Sequence, residues 1–376
     1  MKILHVVPSY KPAYRYGGTI ESVALLCEGL VKAGVEVMVF TTTANGKEEL
    51  DVQGNSLYKV DGVDVIYFKR IFKDPIYISP ALWKRLYREC ENYDVIHIHS
   101  WWNILVMVAA MICKRKKTKF VISPRGMMSD YIVQNSNRLF KKLSLFVIGR
   151  SLLKASVFHS TSANESAECK KLIPGWNGFV IPNIVWLPAL NISKPANYNF
   201  TVIFLSRIHP KKGIELLIEA ISRMPIKPLL KIAGTGEDNY VQQLKDKAKN
   251  LGIEQNIEWI GWQNRAEKLN ALMQADLFAL ASYNENFANS VMEALSVGTP
   301  VLVSDKVGIY DFVNKNKLGW VCTTEVGDVM LKLQEAMQDT EARSRINKSG
   351  AEIVKNYLSE EKLVDEYCFQ YNKMKM

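Results

Sequence analysis

The 376-residue chain contains no run of about 18 apolar residues, so it offers no candidate for a membrane-spanning helix. Its cysteines (Cys27, Cys90, Cys113, Cys169, Cys322 and Cys368) are scattered without paired spacing. That excludes a disulfide framework or zinc ribbon and predicts a reduced, cytoplasmic setting. Histidines number only 5 and are not spaced as ligands, and no Asp-x-Asp triplet occurs, so no metal is expected. The first apolar run is followed by SYKPAYRYGG. This lacks the Gly-x-Gly-x-x-Gly of a dinucleotide-binding turn and counts against an NAD-dependent dehydrogenase. The opening MKILHVVPSYKP has no small-residue cleavage site and reads as a buried strand, not a signal peptide. Low-complexity tracts and short repeats are also missing.

Apolar residues make up 48% of the chain, enough for two cores, and the length suits two domains. The net charge of +10 is unevenly placed: residues 1–190 carry 25 Lys and Arg against 15 Asp and Glu, and residues 191–376 carry 23 of each. The first half is therefore expected to meet something anionic.

Short apolar runs alternate with amphipathic stretches. Strands are expected at Met1–Val7, Val35–Thr42, Val63–Phe68, Asp94–His99, Lys119–Ser123, Val157–Ser160 and Phe179–Pro182, with helices at Ile20–Ala33 and Asn103–Lys116. PALNISKPANYN has no periodic pattern and marks a linker over 189–199. A second alternation follows, with strands at Thr201–Ser206, Leu229–Gly234, Ile257–Gly261, Leu277–Ala281, Val301–Ser304 and Gly319–Cys322. The expected fold is α/β: two Rossmann-like, doubly wound domains, 1–188 and 200–357, facing a cleft, with a final helix over 358–376 packing back on the first.

Two segments carry chemistry. In SRIHPKKGIELLIEAI, a strand ends at Ser206 and a helix begins near Gly213, so Arg207, Lys211 and Lys212 crowd the helix's positive end. Cations there are unfavourable unless an anion such as phosphate joins them. In SYNENFANSVMEALSVGTPVLVSD, a helix over Ala288–Val297 is stopped by Gly298 and Pro300. Glu285 precedes this helix, and Glu293 falls on the face away from Val291 and Leu295, which predicts a solvated carboxylate. Gly17 and Gly18 open the first helix, and Gly234 and Gly236 form a second glycine turn. His99 ends the strand of IHIHSWWN, a position open to a functional group or to a satisfied buried imidazole.

Glu285 and Glu293, with ENF between them and EAL-x-x-GTPV behind, resemble the Glu-x7-Glu signature of the family four retaining glycosyltransferases. SRIHPKKG is similar to that family's diphosphate grip. The resemblance spans nearly the whole chain and is loosest between Asp51 and Tyr93. It implies a GT-B fold, a nucleotide-diphosphate sugar as donor substrate, retention at the anomeric carbon, and neither metal nor other cofactor. Arg207 and Lys212 would hold the diphosphate, with the backbone amides of Asn289, Ser290 and Val291. Glu285 would meet the sugar hydroxyls, Glu293 the ribose and Trp262 the base, and His99 would act near the reacting groups. SPRGMM resembles an acceptor motif of bacterial surface-polysaccharide transferases and offers Arg125 as an acceptor contact. One departure stands out: Asn286-Phe287-Ala288 replaces the family's usual Gly-Phe-Gly, and a side chain there restricts φ.

The stretch from Asn137 to Lys154 sets Arg138, Lys141, Lys142, Arg150 and Lys154 among Leu139, Phe140, Leu143, Phe146 and Ile148. It reads either as an ordinary core-facing helix with solvated lysines or as a basic amphipathic element for an anionic membrane, and Lys114–Lys119 adds a second cluster. Together with the resemblance, it points to a glycan or lipid-linked anionic acceptor, used in the cytoplasm or peripherally at the membrane's inner face. No nucleic-acid module is recognisable. The alternative functions are a GT-B nucleotide-sugar epimerase, which would not need the basic first half, and the dehydrogenase already disfavoured.

Overall fold

The computed structural model describes the whole chain except residues 15, 16, 47, 73–76, 136, 137, 189–198 and 376. It divides into two compact units, Met1–Ile184 with Leu358–Met376, and Val185–Tyr357. All of the linker expected over 189–199 except Asn199 lies outside the described residues.

The first unit is built on β1 (Lys2–Val6), β2 (Glu36–Thr42), a small antiparallel ribbon of β3 (Ala44–Asn45) and β4 (Glu48–Glu49), then β5 (Leu57–Val60), β6 (Val63–Phe68), β7 (Val95–His99), β8 (Phe120–Ser123), β9 (Val157–Ser160) and β10 (Gly178–Val180). Its main sheet runs β10-β9-β8-β7-β1-β2-β6-β5. Every pair is parallel except β5 with β6. All residues of β7 and β8 are buried, as strands with helices on both faces must be, which is why they read as unbroken apolar runs. β5 was not foreseen: LYKV is only partly buried, and an antiparallel edge strand gives a weak apolar signal. The order turns between β1 and β7, placing the loops after those strands at a switch point.

The second unit holds β11 (Thr201–Leu205), β12 (Leu229–Ala233), β13 (Ile257–Gly261), β14 (Leu277–Leu280), β15 (Val301–Ser304) and β16 (Gly319–Cys322). They form one parallel sheet in the order β13-β12-β11-β14-β15-β16. The switch point lies between β11 and β14, so ligands are expected where the loops after Leu205 and Leu280 leave the sheet.

The helix Glu360–Lys375 belongs to the first unit. Val364 packs against Gly29 of the helix Gly18–Lys32, so tightly that a Cβ on Gly29 would overlap it. Among the described residues, no helix is long and apolar enough to cross a membrane.

Candidate functional site

At the switch point of the second unit, three loops are laced by their backbones. Ser206 donates to the carbonyl of Ala233 at 3.2 Å and Ile208 to that of Thr235 at 2.8 Å. Gly234, at φ 131°, and Gly236 lie so close that a Cβ on either would overlap the carbonyl oxygens of Ser206 and Ile208. The Lys211 carbonyl accepts from the Tyr283 amide and from Ser282 Oγ, both at 2.9 Å. Gly213, left-handed at φ 66°, lies against the Ala281 carbonyl. These glycines are fixed by close approach, not by turn preference alone.

This lacing sets Lys212, just ahead of the helix Ile214–Ser222, against Glu285, and the two form an ion pair with side chains only 12% and 18% exposed. Burial alone would raise the Glu285 carboxyl; Lys212, with Lys211 and Arg207 behind it, more than offsets this and holds it below the usual carboxylate range. The same cations, after burial, depress His209. Arg207 itself is exposed. Three cations and one carboxylate thus meet at a positive helix end, a field suited to a diphosphate.

The backbone of Glu285 is pinned on both sides, its amide to the Lys306 carbonyl at 3.0 Å and its carbonyl to the Gly308 amide at 2.8 Å. Phe287 is buried beyond it, Asn286 is half-buried, and Ala288 stands at φ 60° and ψ 71°. The chain therefore adopts the left-handed conformation that the Gly-Phe-Gly pattern would permit, with alanine bearing the strain. Asn289, Ser290 and Val291 form the first turn of the helix Asn289–Ser296; the Val291 amide already donates to the Ala288 carbonyl at 2.9 Å and is not open to a phosphate.

Glu293 corrects an expectation. It is not solvated but 7% exposed, and it pairs with Lys268 at 2.5 Å. The helix Asn289–Ser296 is buried from Val291 through Ser296, so no face of it is open. Lys268 lies in the helix Arg265–Gln274, 25 positions away, and nothing in the sequence pattern links the two. Trp262 is 66% exposed, just past Gly261, whose carbonyl accepts from the Gly234 amide at 2.7 Å.

In the first unit, Gly17, at φ 83°, precedes the helix opened by Gly18. Arg125 reaches Ser22 Oγ in that helix at 3.5 Å, binds Asn183 Oδ1, and lies 3.4 Å from His99 Nδ1. Its left-handed backbone, φ 55°, is braced by the buried Glu165 carboxylate, which accepts from the Gly126 and Thr161 amides at 2.6 and 2.8 Å. Gly17, Gly18, Arg125 and His99 therefore come together at one switch point.

His99, however, is fully buried, with Nε2 2.9 Å from His5 Nδ1. Burial and then Arg125 hold it well below the ordinary histidine range. With both nitrogens facing protein atoms, it is placed to orient Arg125 rather than to exchange a proton with a substrate. It belongs to a network the sequence did not reveal. His97 meets Tyr371 OH at 2.7 Å and Ser123 Oγ at 2.6 Å; Ser123 Oγ meets His159 Nδ1 at 2.6 Å; and Tyr367 OH meets His159 Nε2 at 2.9 Å. The nitrogens of His5, His97 and His99 lie within 4.8 Å of one another. Yet these nitrogens are held in hydrogen bonds: His5 Nδ1 and His99 Nε2 face each other, His97 engages Tyr371 and Ser123, and Arg125 adds positive charge beside His99 Nδ1.

The chain matches two family descriptions, Glycosyltransferase Family 4 over residues 16–186 and Glycosyl transferases group 1 over 191–353. An uncharacterized glycosyltransferase of Methanocaldococcus jannaschii is 23% identical over 95% of this chain and 94% of its own length. Among solved structures, the sucrose-phosphate synthase of Thermosynechococcus elongatus is 17% identical with TM-score 0.77, covering 100% of this chain and 99% of that one. HepE of Anabaena, solved with UDP-glucose, is 20% identical with TM-score 0.74, covering 98% of this chain and all of its own. The chain belongs to the family 4, group 1 glycosyltransferases, and its two Rossmann-like α/β domains are of the GT-B type.

Proposed function

We propose that this transferase is retaining and metal-independent, moving a hexose from a nucleoside-diphosphate sugar onto a glycan or lipid-linked anionic acceptor in surface-polysaccharide synthesis. The observation that carries the donor reading is the Lys212–Glu285 ion pair, set among Lys211 and Arg207 at the switch point of the second unit. Arg207 and Lys212 take the diphosphate, and the helix start at Asn289 and Ser290 extends the cradle. Glu285, kept ionised by those cations, accepts from the sugar hydroxyls. Glu293, braced by Lys268, serves the ribose, and Trp262 the base. Arg125 provides the cation for an anionic acceptor.

In the reaction, the bond from the anomeric carbon to the β-phosphate oxygen breaks. The acceptor oxygen bonds to that carbon on the same face, and its proton passes to the departing phosphate. No protein nucleophile is needed, and the cations stabilise the charge gathering on the leaving group.

UDP is the first probe, with GDP and ADP for comparison. Replacing Arg207 and Lys212 together by Ala removes two charge-assisted contacts of roughly 1.5–3 kcal/mol each, so nucleotide affinity should fall by well over tenfold. EDTA should leave turnover unchanged. Unaltered UDP, GDP and ADP affinity in the double variant would refute the assignment of the grip.

A further inference from the structure

A continuous helical run comprises the helix Arg138–Ser144, a π turn over Leu145–Gly149 and the helix Arg150–Lys154. Leu145, Leu152 and Leu153 are buried in the core of the first unit and anchor the run. Its other side is open to solvent: Leu139 is 84% exposed, Phe146 75%, and Leu143 and Val147 63% each. Leu139, Leu143 and Val147 recur every four residues and Phe146 follows Leu143 by three, which puts these side chains on one stripe. Scattered exposed leucines need no explanation, but four large apolar side chains together form a patch that marks an interaction surface.

The surroundings of the patch select its partner. Lys142, Arg150 and Lys154 are exposed along the same run, and no Asp or Glu occurs anywhere in residues 131–164. Lys114 donates to Ser151 Oγ. This brings the basic end of the helix Ile104–Lys116 alongside at Lys114, while Lys116 turns away to pair with Glu91. The two basic clusters, separate in sequence, thus adjoin a single apolar stripe. A second copy of the chain would set like charges face to face, which opposes pairing. An anionic bilayer satisfies both features at once, since its acyl boundary takes apolar side chains while its headgroups take cations.

We propose that this face docks the enzyme on an anionic lipid surface. Leu139, Leu143, Phe146 and Val147 enter the interface, and Lys142, Arg150 and Lys154 lie on the headgroups. Vesicle binding requires no nucleotide, so it stands or falls apart from the donor assay.

The test is co-sedimentation of the full chain with vesicles of phosphatidylcholine alone and of phosphatidylcholine with phosphatidylglycerol, at low and high salt. Binding is expected to the anionic vesicles, reversed by salt, and weak to the neutral ones. The Leu143→Ser/Phe146→Ser variant should partition more than about tenfold less, because interfacial binding scales with buried apolar area. The Lys142→Gln/Arg150→Gln/Lys154→Gln variant should lose about fivefold per charge, roughly a hundredfold in all. Circular dichroism checks folding, and the charge variant, which leaves the apolar packing untouched, decides the matter should the serine variant unfold. Equal binding to both vesicle types, or to neither, overturns the proposal. So does self-association abolished by Leu143→Ser/Phe146→Ser, which would assign the face to a second copy.

Discussion

Lowering the pH should destabilise the first unit through its buried imidazoles. Four of the five histidines, His5, His97, His99 and His159, are fully buried on β1, β7 and β9. Burial, with help from Arg125, lowers His5 and His159 to about 3, and His97 and His99 shift in the same direction. In the unfolded chain they titrate near 6.5. A depressed folded value means that the unfolded state takes up the proton first. The stability these groups support is therefore complete above about pH 6.5 and drains as pH falls towards about 3. At pH 5 each of His5 and His159 costs about 2 kcal/mol, from 1.36 kcal/mol per pH unit over about 1.5 units, or about 4 kcal/mol together. That is a large share of a typical folding free energy, and His97 and His99 add to it. Urea unfolding at pH 7.5 and pH 5, followed by a probe in the first unit, should show the midpoint falling. Near pH 5 the slope should correspond to at least two protons taken up on unfolding. Stability unchanged between those pH values would refute the assignment of neutral, desolvated histidines.

Ala288→Gly should raise stability by up to about 1 kcal/mol, because relief of the left-handed strain exceeds the added freedom of the unfolded chain; urea melts check it, and clear destabilisation would contradict the strain. Gly234→Ala should cost more than about 2 kcal/mol and weaken UDP binding, since its Cβ would overlap the Ser206 carbonyl at φ 131°. Near-parental melting and affinity would show that the two loops can separate.

Strands buried on both faces were legible because sheets covered by helices require uninterrupted apolar runs. β6, β9 and β15 begin and end at the expected residues, as do the partly buried edge strands β13 and β16, and the other expected strands differ by one or two residues at one or both ends. The loops at the switch point of the second unit could be located from Gly234, Gly236 and the cations after Ser206. What sequence patterning could not supply is long-range pairing. Glu293 looked solvated because the helical period reports its own helix and not the one that covers it. The histidine network joins positions as far apart as His97 and Tyr371, 274 residues, and single histidines on buried strands carry no sign of one another. The single turn Pro210–Lys212 and the helix Pro80–Glu89 fall where periodicity is short or the family pattern is loose.

Residues 1–184 and 358–376 build one unit with the whole of the other between them in sequence, and this orders the events of synthesis. The second unit, Val185–Tyr357, is complete in sequence before the helix Glu360–Lys375 emerges from the ribosome. It can therefore close while the first sheet still awaits its final layer. Until Tyr367 and Tyr371 arrive, His159 and His97 lack partners they hold in the finished protein. Closing a loop of this length is slow relative to local folding, so these histidines gain their tyrosine partners only once the helix Glu360–Lys375 has emerged and docked.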